Sequence, residues 1–381
     1  MPRAHFVLLT LCFSVFCVAQ GPNCTEDISL ISGEGCASPC CYQDPPNSGH
    51  YVFSHSAVEK IDIRNNGANI LSLSFPNLAS VEKTIRISYN QPGSIQSISF
   101  PALRTAGSLE IRNNPGLVTV DLPRLRSIAN DEQDASFRIQ SNENLLSLNT
   151  PTLDSVLSTG NGHALIQIRY NSLLETIDFP LLRTVEVTDD YGEAYIIIGE
   201  NDLLQSLHMD HLQRLVSGGE SISYLVLSDM PNLNEISFSQ FNEFLPVDGE
   251  YNFNELTIID CPSLTEFVFP SLERVTLLQL GTLAGNEKGM FPSLSELEYL
   301  WLWRTCSSPD DTFKLYICSE QSIMDLYIYD NGTCGPSGYL LYSENLDNAA
   351  ECDASEICQS FIPDVTDCKC GSPGLCTVGS N

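Results

Sequence analysis

The feature that most constrains this chain is an internal repeat. Residues 109–128 read LEIRNNPGLVTVDLPRLRSI, and the same skeleton returns at 61–81, 85–106, 166–185 and 256–275. Weaker copies start at Phe137, Ile196, Leu225 and Leu278. Each copy alternates apolar and polar residues over short runs separated by turn residues, which is strand periodicity. One such unit cannot bury its own apolar face, but a stack of units can. The pattern therefore predicts an all-β fold, a right-handed parallel β-helix or leucine-rich-type solenoid, whose coils lay their strands on one another.

Two columns carry this expectation. Three residues after the strand isoleucine stand Asn66, Asn90, Asn114, Asn142, Asn171 and Asn201, followed by Met230 and Cys261. Asparagine tolerates a left-handed backbone and bonds neighbouring main chain at turns, and stacked asparagines bond along a ladder. Cys261, at the asparagine place, is read as a buried, unpaired core thiol. The second column is Phe-Pro, at Phe75, Phe100, Phe179, Phe269 and Phe291, each followed by proline. Leu122-Pro123 and Thr150-Pro151 are variants. Proline suits a corner that needs no ladder hydrogen bond, and the aromatic before it suits the core.

The N-N-P-x-L segment at 113–117 and the F-P-x-L-x-x-V segment at 75–81 resemble the receptor L-domain family. Its members include the ligand-binding β-helices of insulin- and EGF-type receptors, and fungal cell-wall proteins share the same leucine-repeat coil. The resemblance covers about residues 58–302. It implies a right-handed solenoid that binds a protein or glycan ligand, or that serves structurally in a surface matrix. Unlike the receptors, the chain shows no membrane span or kinase. Unlike the fungal group, it shows no lipid-anchor tail.

Compartment is read from both ends. Residues 6–18 are apolar and end in Cys17-Val18-Ala19, the small-residue signature of a leader cleaved after Ala19. As a membrane anchor that stretch is short for ~30 Å of hydrocarbon. The expected organisation is a leader at 1–19, a cysteine-rich cap at 20–57, solenoid repeats at 58–305 and a cysteine-rich module at 306–381. Cys24, Cys36, Cys40 and Cys41 form one cysteine cluster. Cys306, Cys318, Cys334, Cys352, Cys358, Cys368, Cys370 and Cys376 form the other. Zinc would call for paired C-x-x-C spacing, which neither cluster has, so disulfides are expected at both ends. Sequons at Asn23 and Asn331 are candidate glycosylation sites.

The net charge is −30. Phosphate binding needs a basic face, so nucleic acid is an unexpected partner, and an extracellular protein or glycan is expected instead. Insertions at 129–136, 157–163, 186–193, 216–223 and 242–255 all fall at the same point of the coil, so they should share one edge. That edge holds Asp131, Glu132, Asp134, Asp189, Asp190, Glu193, Asp248 and Glu250, and no lysine or arginine. It suits a basic partner or Ca2+, and the plainer reading is a solvated, disorder-prone edge. Arginines gather elsewhere, at Arg64, Arg112 and Arg169 and at Arg104, Arg126 and Arg183.

No nucleophile elbow, phosphate loop, dinucleotide fingerprint or H-E-x-x-H motif is present, and no cofactor motif is recognised. The one close histidine pair, His208 and His211, sits at the Phe-Pro corner, where Met209 aligns with phenylalanine. Only Glu200, Asp229 and Asp260 offer acid–base chemistry: they should stand outward on three successive coils, as turn caps or as the carboxylates of a carbohydrate-active β-helix. The sequence thus favours a secreted, non-catalytic recognition or matrix protein. If so, the unfolded, unreduced protein titrates with a single thiol, that of Cys261, and additional thiols would break the paired-cap reading.

Overall fold

The computed structural model describes residues 49–53, 55–64, 70–189, 191–219, 221–244, 253–283 and 288–304. Beyond these it describes short strands at Cys17–Ala19, Asp27–Ile31, Cys41–Tyr42, Lys314–Ile317, Asp325–Asp330, Leu340–Tyr342, Cys368–Ser372 and Leu375–Val378. The described elements are all β, and their parallel strands stack as a solenoid.

The weak repeats align with the strong ones. Leu109 pairs with Phe137, Phe137 with Ile166, Ile166 with Ile196, Ile196 with Leu225, Leu225 with Leu256, Leu256 with Leu278 and Leu278 with Leu300. Every residue of this column from Leu109 to Leu300 is fully buried. Where no insertion intervenes, one coil's last strand runs into the next coil's first, as in Ser80–Ser88, Thr105–Arg112, Arg274–Leu283 and Glu296–Arg304. Where insertions occur the strand splits, as in Ser127–Asn130 and Ala135–Gln140, or Thr184–Val187 and Ala194–Gly199.

The asparagine column is a hydrogen-bonded ladder inside the stack. Asn114, Asn142, Asn171 and Asn201 are at most 1% exposed. The Oδ1 of Asn142 accepts the backbone N–H of Asn114 at 3.2 Å and its Nδ2 at 3.1 Å. Asn171 and Asn201 repeat this for the coil before each. Nδ2 of Asn142 also donates to the Ile111 carbonyl at 3.0 Å. Asn66 lies outside the described residues. At Met230 the amide is lost, and the Met230 N–H donates to the Asp260 carbonyl at 3.1 Å. Cys261 is fully buried, and burial pushes its thiol up to about 12, outweighing a backbone hydrogen bond from Met230. The thiol is therefore a core group.

The Phe-Pro corners form turns. Leu78 N–H donates to Phe75 C=O, and Leu103, Leu125, Leu182 and Leu294 repeat this three residues after Phe100, Leu122, Phe179 and Phe291. Proline thus occupies the second turn position, which its fixed φ suits. The preceding ring points inward. Phe53, Phe75 and Phe100 stack at 4.6 and 4.4 Å, and Phe238, Phe269 and Phe291 at 5.2 and 5.4 Å. Met209 fills the column at His208-Met-Asp-His211 and is fully buried.

The strand ladders run past both expected cap boundaries. Asp27–Ile31 pairs in parallel with Lys60–Arg64, and Phe53 heads the aromatic stack. Cys17–Ala19, in the segment read as a leader, pairs with Tyr51–Phe53. At the other end Asp325–Asp330 continues the ladder of Glu296–Arg304. Parallel order ends at the hairpin of Cys368–Ser372 and Leu375–Val378, which puts Cys370 opposite Cys376. The side chains of the cap cysteines and both sequons lie outside the described residues.

Asn142→Ala removes the acceptor of a buried N–H and three further buried side-chain amide bonds. It should lower unfolding free energy by about 2–4 kcal/mol in urea titration. A loss within experimental error would mean that the ladder does not hold the coils.

Candidate functional site

The outward column beside the asparagines has a strained backbone. Tyr89, Asn113, Ser141, Tyr170, Glu200, Asp229 and Asp260 all have φ between 53° and 57°. The left-handed residue is therefore the one before each asparagine, not the asparagine, which corrects the sequence reading. The physical reason is the corner itself: the chain reverses at the residue before the inward one, and does so at Asp229 and Asp260 too, where Met230 and Cys261 stand in place of asparagine. Each non-glycine residue there costs roughly 1–2 kcal/mol, and the inward hydrogen bonds offset it.

This column forms one side of a shallow, open groove of about 560 Å³. Its lining is Asn113, Ser141, Tyr170, Glu200 and Asp229 from the left-handed column, with Glu143, Ser172 and Asp202 from the turn that follows. The turn is tied coil to coil: Asn144 Nδ2 donates to Pro115 C=O at 2.5 Å, and Asn232 Nδ2 to Asp202 C=O at 2.7 Å. Tyr170 is 41% exposed and Tyr89, at the head of the column, 55%. The Arg169 guanidinium lies over the Tyr170 ring, 5.1 Å from its centroid, and pairs with Glu200. The groove thus presents an aromatic surface bordered by hydrogen-bonding side chains and by acids.

Glu200, Asp229 and Asp260 do stand on three successive coils, as expected. They do not act as one centre. Glu200 is engaged by Arg169, Asp229 and Asp260 are exposed, and Asp260 is not among the groove residues. No group of three potential metal ligands occurs among the described residues.

The insertions stack into one edge. Thr159 N–H donates to Asn130 C=O, Thr188 N–H to Ser158 C=O and Gly218 N–H to Gly192 C=O. A Cβ on Gly162 would lie 2.4 Å from the Gln133 carbonyl, and one on Gly192 2.3 Å from that of Gly162. The described part of this edge is therefore closely packed. Asp131 and Glu132 are exposed. Asp134 accepts the His163 N–H at 3.1 Å and lies 3.7 Å from Arg138. Glu193 faces His163 at 3.9 Å. Arg214 bridges Glu186 and Glu243, the second of which is its partner in the stack. Asp189 is half-buried. Asp190, Asp248 and Glu250 lie outside the described residues.

The histidine pair is divided. His208 Nε2 lies 3.3 Å from Glu235, whereas His211 Nδ1 is buried without a hydrogen-bond partner. Burial raises the Asp210 pKa, but hydroxyls of Ser237 and Ser239 and the nearby His208 outweigh this and hold it low. Sequence reasoning missed Glu143, Ser172 and Asp202 and gave no role to the tyrosines of the outward column. The tyrosine signal was there, since exposed rings at Tyr89 and Tyr170 interrupt a column of small polar residues.

The chain matches no protein-family model, no curated protein and no solved structure.

The left-handed column yields a direct test. Ser141→Gly removes a Cβ from a positive-φ position and should raise stability by roughly 0.5–1 kcal/mol. The same substitution at half-buried Ser155, in a regular strand, should lower it by a similar amount. Destabilisation at Ser141 would show that its side chain holds the corner.

Proposed function

We propose that this is a secreted, non-catalytic recognition protein whose left-handed corner groove binds an extracellular protein or glycan. The observation that carries the reading is the seven-residue positive-φ column. Backbone strain at consecutive, chemically varied positions points to a surface held in place for contact. Its chemistry suits recognition: an accessible ring for stacking, flanked by amide, hydroxyl and carboxylate groups. Glu143, Asp202 and Asp229 make the groove fit for an uncharged or cationic ligand group, and Arg169 is already occupied by Glu200.

Catalysis is disfavoured by the same geometry. General acid–base work needs a desolvated carboxyl poised beside a second one. Here one acid of the triplet is ion-paired and the other two are open to solvent. Secretion, cleavage after Ala19 and kinship with receptor L domains remain part of this proposal. They rest on the leader pattern, the cysteine clusters and the repeat.

A photo-cross-linking residue at Tyr170 of the intact protein, applied to its source cells, should capture a specific partner. A glycan array should show saturable binding if the partner is a sugar. Tyr170→Ala should weaken either interaction by about tenfold or more, as loss of a central aromatic anchor does. Failure to find saturable binding by both routes, or full binding by Tyr170→Ala, would overturn the groove as the site.

A further inference from the structure

A second surface stands out because it breaks the rule that the other cations obey. Among the described residues, every other lysine and arginine from Lys60 to Arg274 has a carboxylate oxygen within 3.8 Å. Arg104, Arg124 and Arg126 have none and are exposed. They are contiguous: Arg126 N–H donates to Arg104 C=O on the coil before, and Arg124 flanks Leu125 on the same corner as Arg126. The chain has 48 acids against 18 lysines and arginines, so three neighbouring guanidiniums without a carboxylate partner set this corner apart. Like charges on adjacent coils, ~4.8 Å apart, also repel one another.

Next to them lies a trough of about 470 Å³. Thr105 and Ser127, which follow Arg104 and Arg126 in the chain, line it and pair in register with each other. Ser80, Ala57, Ala106, Gly107 and Ala129 add small residues, and Val58 and Val81 line it as well. The space exists because the coils through Ser80–Ser88 and Thr105–Arg112 carry no inserted loop. At Gly107 a Cβ would lie 2.4 Å from the Lys83 carbonyl, so the chain must pass there without a side chain. The lining also includes Glu59, which pairs with Lys83 at 2.5 Å, and Glu82.

We infer that this trough and its arginine rim bind an acidic polysaccharide, a sugar chain bearing carboxylate or sulfate groups. Guanidiniums bind such groups through paired, charge-assisted hydrogen bonds. Sugar hydroxyls supply the donors that Glu82 and the Ser80, Thr105 and Ser127 oxygens accept. This site is separate from the corner groove and stands or falls independently of it.

The test uses the full-length native protein on immobilised heparin, a sulfated chain, and on polygalacturonate, a carboxylated one. Wild type should bind one or both at low ionic strength and elute with salt. The triple variant R104A/R124A/R126A should bind at least about tenfold more weakly, with an unchanged melting temperature. Arg183→Ala, whose guanidinium is already paired with Asp154 at 3.6 Å, should bind as wild type does. Binding to heparin alone assigns sulfate, and to polygalacturonate alone carboxylate. No retention of wild type on either matrix, or equal retention of the triple variant, overturns the proposal. So does a triple variant that keeps glycan binding but loses concentration-dependent self-association in sedimentation, which would give the arginines to a second copy of the chain.

Discussion

The fold depends on the satisfaction of one buried polar corner. Wherever the chain turns between its first and second strands, a backbone N–H is carried into the interior beyond the reach of water. An unpaired group there would cost ~1–3 kcal/mol. Each coil gives its acceptor to the coil before it, as Asn142 does for Asn114 and Asn171 for Asn142. No coil can complete this bond alone, so the stack is cooperative along its length. The apolar columns add burial, but burial alone tolerates slippage. An amide that reaches a single N–H at 3.0–3.2 Å sets the register.

The same bond explains the surface. An asparagine pointing inward leaves its predecessor pointing outward with positive φ. The strain is indifferent to side-chain identity, so tyrosine, serine, glutamate and aspartate all occupy it. Stability resides in the inner column and the exposed side-chain chemistry in the outer one. The two can therefore vary separately, although adjacent residues of one chain carry them. At Met230 and Cys261 the inner column loses its amides, yet Asp229 and Asp260 keep the left-handed turn. The main-chain bond from Met230 to Asp260 there replaces the side-chain acceptor.

The fold class, the coil register and both inner columns were legible in the sequence, because packing imposes period and residue type together. Phe137, Leu225 and Leu278 could be aligned on two or three residues each, and their strands pair in that register. The end coils were not legible. Asp27–Ile31 lacks the asparagine and Phe-Pro marks, so its pairing with Lys60–Arg64 carries no sequence signature. The groove was half legible. Its left-handed side is a column and could be read, but Glu143, Ser172 and Asp202 belong to a turn position with no fixed residue type. The acidity of the insertion edge could be counted. Its pairing could not, because whether Arg138 and Arg214, on the strands that flank the insertions, turn toward it is set by the stacking of the coils.

Charge on this molecule is organised by coil spacing more than by sequence distance. Stacking sets side chains of like position ~4.8 Å apart, where uncompensated charges of one sign would oppose assembly. The chain resolves such conflicts by interleaving: Glu110 sits in register between Arg86 and Arg138, and Arg214 in register with Glu243. Interleaving works only where successive coils alternate in sign at one position. The corner of Arg104 and Arg126 does not alternate until Asp154, one coil further on. A stack that pairs its other described cations with carboxylates leaves this run of guanidiniums open to solvent.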